Sequence, residues 1–339
     1  GLGGAATTVN DNIAIGQQAA QCITSNTNTS IFLGTNSGCA PVGVSTNSIF
    51  VGTYSGGEHQ NVQGSIHIGS SSGFDSNGLS NVAIGCISGR NINGNNNVAL
   101  GCAAGFGLVG SDNIVLGRSS GIDLQGGCNI YIGALAGIHT STPEGDANDN
   151  IGIGVLIHRF LDTGVRNVAL GYGGQYNLTS GSNNVSAGGL ALLSATSASA
   201  NIAIGPNTLR SITTGRCNTA IGDGAGLLVS GAAGQNTIVG SLSYTLNQAT
   251  SGSRNVVIGH NIDAPSGNPD DILLIGNNTS RWITGDSSYD VTIPNNLTVT
   301  GTLTATYDLS TTSIDALSDV DTTTSTPADG ENLIWDQAS

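Results

Sequence analysis

The chain has 339 residues, 52 of them glycine, with 4% aromatic and 9% charged side chains and a formal net charge of -14. Large apolar side chains are too scarce for the two or three globular domains that this length would allow, and the charge density is too low for a disordered chain. The acidic balance, with all eight basic residues being Arg, disfavours binding to a phosphate backbone or an anionic membrane surface, and no apolar run approaches a membrane span.

Residues 1–10 read as a lead-in. They open Gly1-Leu2-Gly3-Gly4, without the basic start or apolar stretch of a secretory signal. The chain contains no Met, which reads as a processed or partial chain.

Residues 11–285 read as one repeat domain. A glycine recurs at Gly16, Gly34, Gly52, Gly69, Gly85, Gly101, Gly117, Gly133, Gly154, Gly171, Gly188, Gly205, Gly222, Gly240, Gly259 and Gly276, at intervals of 16 to 21 residues. The residues three and one before it are apolar, as in Val82 and Ile84, Ile114 and Leu116, or Val256 and Ile258; Ala187, Thr219 and Thr237 weaken the rule. Two apolar positions separated by one residue share a strand face. That face is expected to point inward, so that Ile114 is buried between turns. The residue between them, often alanine (Ala83, Ala99, Ala169, Ala203), then faces a surface that accepts only small groups, such as a neighbouring subunit.

Four residues before the anchor stands Asn: Asn81, Asn97, Asn113, Asn150, Asn167 and Asn201 among others. Asn tolerates left-handed backbone, and stacked amides can hydrogen-bond along the axis as a ladder. A second glycine often follows four residues after the anchor (Gly38, Gly56, Gly73, Gly89, Gly105, Gly121, Gly137, Gly226), where it permits positive φ at a corner. A period of about 17 residues is too short for helix-pair repeats. It fits a strand-and-corner coil stabilised by the turns above and below. The expectation is an all-β, parallel β-roll or β-solenoid of about sixteen turns, about 75 Å long at about 4.8 Å per turn.

The longest interval contains Thr142-Pro143-Glu144-Gly145-Asp146-Ala147-Asn148-Asp149, read as an acidic loop. The turns after it carry His158, Arg159, Phe160, Arg166, Tyr172 and Tyr176. Aromatic and Arg side chains are favoured in recognition surfaces. Glu144, Asp146, Asp149 and these six residues therefore form the candidate receptor-contact patch. The alternative is that longer corners need larger residues to fill them.

Residues 286–307 read as a β-strand connector: Val291-Thr292-Ile293-Pro294-Asn295-Asn296-Leu297-Thr298-Val299 alternates with period two around a Pro-Asn-Asn turn. Residues 308–339 form an acidic terminal segment with seven acids between Asp308 and Asp336 and no base.

No catalytic constellation stands out. The histidines His59, His67, His139, His158 and His260 are not spaced as metal ligands. Gly222-Asp223-Gly224-Ala225-Gly226 is explained by the repeat, and Asp270-Asp271 reads as a solvated turn. No cofactor is expected. The six cysteines lack the density of a disulfide framework. Cys86 and Cys102 each follow an anchor glycine and stack in neighbouring turns. They read as small buried side chains, with a bond between turns or between chains as the alternative.

Stretches such as Asn201-Ile202-Ala203-Ile204-Gly205-Pro206-Asn207-Thr208-Leu209 and Thr213-Thr214-Gly215-Arg216-Cys217-Asn218-Thr219-Ala220-Ile221-Gly222 resemble the Asn-x-Ala-Ile-Gly repeat of trimeric (YadA-like) adhesin heads and of bacteriophage tail-fibre proteins. The resemblance covers roughly residues 11 to 280. It implies a parallel β-roll, a side-by-side homotrimer and a role in adhesion. The repeat is longer than that of the bacterial head. The alternating segment near Pro294, followed by Leu317-Ser318-Asp319-Val320-Asp321 and Leu333-Ile334-Trp335-Asp336, resembles phage fibre connectors and favours that branch. The expected function is a non-catalytic virion fibre that attaches to a host. Its expected partners are two further copies of itself, other tail or baseplate proteins and a host surface receptor such as a glycan. A bacterial adhesin head and a purely structural decoration or spacer are the alternatives.

Overall fold

The computed structural model describes residues 9–21, 27–39, 45–59, 61–139, 146–243, 252–263, 270–278, 280–288, 290–294 and 297–298. The chain divides into two units, Gly1–Pro294 and Asn295–Ser339. Of the second, only Leu297 and Thr298 are described, so the expected acidic segment and most of the connector lie outside the described residues.

The first unit is a parallel β-solenoid. Sixteen short strands, from Ile13–Ile15 to Leu273–Asn277, stack in sequence order through fifteen parallel pairings that are in register throughout. The first fourteen strands end at the anchor glycine, and Val256–His260 and Leu273–Asn277 run one residue past it. A second parallel ladder joins Val9–Asn10, Thr27–Asn28, Ser45–Thr46 and Val62–Gln63. It continues as isolated bridges, among them Asn77 to Asn93, Asn93 to Val109 and Val109 to Gln125. The last parallel strand is capped by the antiparallel strand Ser280–Gly285, and Val291–Thr292 pairs with that one in turn.

The repeat positions do what their chemistry requires. At the anchor Gly101, φ is +133°, and a Cβ would meet the Gly117 carbonyl oxygen at 2.6 Å. Only glycine lets successive turns approach this closely. At the second glycine, Gly137 has φ +62°, and a Cβ would lie 2.3 Å from the Tyr131 ring.

The Asn ladder is present and buried. From Asn97 to Asn236, each Nδ2 donates to the Oδ1 of the Asn one turn before at 2.9–3.1 Å. Each also donates to a carbonyl of the next turn, as Asn97 does to Gly110 at 2.9 Å. The same Oδ1 accepts the next ladder residue's backbone N–H, Asn113 to Asn97 at 3.0 Å. In the first turns Ser30, Ser48 and Ser65 take this place, their hydroxyls accepting from the backbone of Ser48, Ser65 and Asn81. The left-handed residue is not the ladder Asn but the one preceding it: Asn96, Asp112, Asp149 and Arg166 have φ between 56° and 61°.

The strand face is the reverse of the expected one. From the second strand onward the middle residue of the three-residue strands points into the coil: Phe32, Phe50, Ala83, Ala99, Val115, Tyr131, Ala169, Ala203, Ala220 and Ile238 are all fully buried, while Ala14 in the first strand is exposed. The flanking Ile, Val and Leu side chains point outward, and Ile114 is 36% exposed. The physical reason is the narrow lumen. Each turn contributes one strand residue to an interior that also receives the corner residues Ile92, Leu108, Leu124, Leu161 and Leu178, leaving no room for two branched side chains per strand. Volume is shared among neighbouring positions: where the middle residue is large (Phe32, Phe50, His67, Tyr131), the second position is Gly38, Gly56, Gly73 or Gly137, and the ring fills the space a Cβ would need. Where it is small, the second position is either large and buried, as Gln175, Leu192 and Leu209 are after Ala169, Ser186 and Ala203, or again glycine with a corner residue against it, as Ile92 lies at Gly89 and Leu108 at Gly105.

A buried serine column completes the interior. Ser37, Ser55, Ser72, Ser88 and Ser120 each donate to the carbonyl of the middle residue one turn later, at 2.7–3.2 Å.

Candidate functional site

The expected patch separates into parts. Glu144 lies outside the described residues. Asp146 and Asp149 are exposed on either side of the buried Ala147. Arg166 is exposed at a left-handed corner, where its Nε donates to Asn183 Oδ1 at 2.9 Å. Tyr172, 55% exposed, directly follows the anchor Gly171 and stands on another corner. His158 is not a surface residue. It is fully buried, edge-on to Tyr131 at 5.8 Å, with Nε2 3.2 Å from Gln175 Oε1. Burial holds its pKa down at about 4, so the ring is neutral and packed.

Three of the expected residues do meet. The Phe160 and Tyr176 rings are perpendicular with centroids 5.2 Å apart, and the Arg159 guanidinium carbon lies 5.4 Å from the Phe160 centroid. Arg159 Nη1 is buried without a hydrogen-bond partner.

A second group of the same chemistry was missed in the sequence. Arg90 lies between Phe74 and Phe106, its guanidinium carbon 5.1 Å and 6.0 Å from the two ring centroids. These residues occur five positions after Gly69, Gly85 and Gly101, and so do Arg159 after Gly154 and Tyr176 after Gly171. The offset was legible once the anchors were aligned. Parallel backbone bonds hold the column in register: Asn91 donates to Phe74, Gly107 to Arg90 and Asp123 to Phe106, at 2.7–2.9 Å. Both Arg-aromatic groups therefore stand on one corner of the coil, separated by Ile122 and Ile138. Cation–π contacts of this kind are worth about 0.5–2 kcal/mol each. They offer flat apolar faces beside a fixed positive charge, a surface suited to binding.

No other chemistry converges. Among the described residues, no group of three or more His, Cys, Asp or Glu side chains is placed to hold a metal ion, and no helix is long and apolar enough to cross a membrane. Asp270 and Asp271 are not merely solvated: Arg254 bridges both, at 3.2 Å and 2.7 Å. Cys86 and Cys102 are exposed and free, not buried as expected, because the residue after the anchor glycine points away from the lumen. Comparison with protein-family models and with curated proteins finds no match.

Proposed function

We propose that this chain is a non-catalytic structural segment of a virion fibre that packs side by side with two further copies of itself and presents its corners to a host receptor. The observation that supports this reading most is the outward strand face. Two rows of mostly Ile, Val and Leu, broken by Ala187, Thr219 and Thr237, run along the solenoid, with exposures such as 51% and 65% at Ile13 and Ile15, 40% at Leu170 and 41% at Ile204. Continuous exposed apolar stripes of this extent mark an interface. A partner that covers such a stripe from end to end must repeat every about 4.8 Å, and a second copy of the same chain does so. Three copies turn their stripes to a common axis and leave the Arg-aromatic corner for recognition.

Antibodies raised against the chain, used for immunogold microscopy, test the setting. Label along a particle's fibre is expected; label confined to a bacterial surface would move the reading to an adhesin head. Attachment is tested by the triple substitution Phe160→Ser, Tyr172→Ser and Tyr176→Ser. Reduced attachment by a folded assembly is expected, and unchanged attachment would make the chain a spacer. Incubation with host polysaccharide is expected to release no reducing ends.

A further inference from the structure

Cys86 and Cys102 occupy the same place in successive turns, each directly after an anchor glycine, Gly85 and Gly101. The ladder is in register immediately before them, with Val82 opposite Val98, Ala83 opposite Ala99 and Ile84 opposite Leu100. Backbone bonds continue the register across the pair: Gly101 donates to Ile84 at 2.8 Å and Ala103 to Cys86 at 2.9 Å. The two Cα atoms are thus one turn apart, about 4.8 Å, inside the roughly 4.4–6.8 Å span of disulfides. Bringing the Cβ atoms to their bonded separation of about 3.8 Å takes a movement of about 1 Å. Both residues lie in turns, outside the three-residue strands, so that movement falls on the turn backbone and not on the strand pairings.

Both thiols are exposed and free. Ser70 precedes them in the column and Arg118 follows, so each thiol has the other as its one cysteine neighbour in the column. The remaining exposed free thiols, Cys128 and Cys217, have no such neighbour: Cys128 stacks between Asp112 and Asp149, and Cys217 between Ala200 and Gln235. Oxidised cysteine is already part of this fold, since Cys39 is disulfide-bonded.

We propose that Cys86 and Cys102 form an intrachain disulfide joining two successive turns when a two-electron thiol oxidant is present, such as a diazene or a small exchanging disulfide. With a diazene, the two S–H bonds break and one S–S bond forms. The two electrons and two protons pass to the N=N group, which becomes a hydrazine. The bond closes the loop between the turns that carry Arg90 and Phe106, and fixes the spacing of that pair.

The native protein is oxidised with diamide, alkylated with iodoacetamide and digested without reduction. The expected product is one linked pair of peptides holding Cys86 and Cys102, lighter by two hydrogens, while Cys128 and Cys217 are alkylated. The chain should run as a monomer on a denaturing, non-reducing gel. Oxidation should raise the apparent melting temperature, and the Cys86→Ser/Cys102→Ser protein should show no such rise. Alkylation of Cys86 and Cys102 to the same extent as Cys128 and Cys217 would overturn the proposal, and so would a link between chains.

Discussion

At the residue scale, the ladder Asn is the most constrained polar group. Each amide is buried and makes bonds on both sides, so removing one leaves groups of the adjoining turns without partners. Asn113→Leu removes the acceptor of the buried Asn129 backbone N–H and the donor to the Gly126 carbonyl, and takes one of two bonds from Asn97 Oδ1 and from Asn129 Nδ2. Each orphaned buried group costs about 1–3 kcal/mol. A marked loss of thermal stability is expected, clearly greater than for Asn96→Ala on the exposed corner next to Asn97. Equal effects of the two substitutions would argue against the ladder. The buried histidines give a second prediction. Burial lowers His67 to about 3 and His139 and His158 to about 4, below an unfolded value of about 6.5. Their contribution is whole above that value and declines as pH falls from about 6.5 toward about 4, because the unfolded chain binds the protons. Melting temperature should fall across this window. His67→Phe should shallow the fall, since Phe32 and Phe50 fill the same column. A melting temperature flat across the window would contradict the buried neutral rings.

At the element scale, the strand carries two opposed faces. Val115→Asp puts a charge into the lumen with no partner, costs several kcal/mol and should unfold the surrounding turns. Ile114→Asp, one residue away, puts the charge on the outer stripe. It should leave the coil folded, with unchanged circular dichroism, and dissociate the assembly. The same outcome for both variants would refute the assignment of the faces. This polarity was the part of the strand not legible from the sequence. The period, the amide ladder and the corner glycines follow from local spacing, and each could be read directly. Which side of a three-residue strand is inside depends on how wide the lumen is, and alternation alone does not report that. A signal existed: the middle position is not restricted to small residues, since Phe32, Phe50, His67 and Tyr131 occupy it, and each is matched by glycine six residues later. His158 was assigned to the surface for the same reason, because its place beside Tyr131 and Gln175 is set by the stacking of turns. The Phe160 and Tyr176 contact was legible as a cluster of aromatics, whereas Phe74, Arg90 and Phe106 are distant in the chain and meet only through the stacking of turns.

At the scale of the whole molecule, the interior and the exterior stripe ask for different partners. Among the described residues, the lumen is packed within one chain: its apolar side chains, the serine column and the asparagine ladder stack turn to turn, while the His67 ring nitrogens and the Tyr131 hydroxyl are buried without hydrogen-bond partners. The stripe has no such cover within the chain, and its two rows, apolar except at Ala187, Thr219 and Thr237, repeat with the spacing of the turns. An assembly of like chains is the arrangement that covers it without interruption. The mass of the native protein in solution, measured by light scattering at micromolar concentration, tests this directly. The account predicts about three times the 33.7 kDa of the single chain. A stable monomer at that concentration would contradict it.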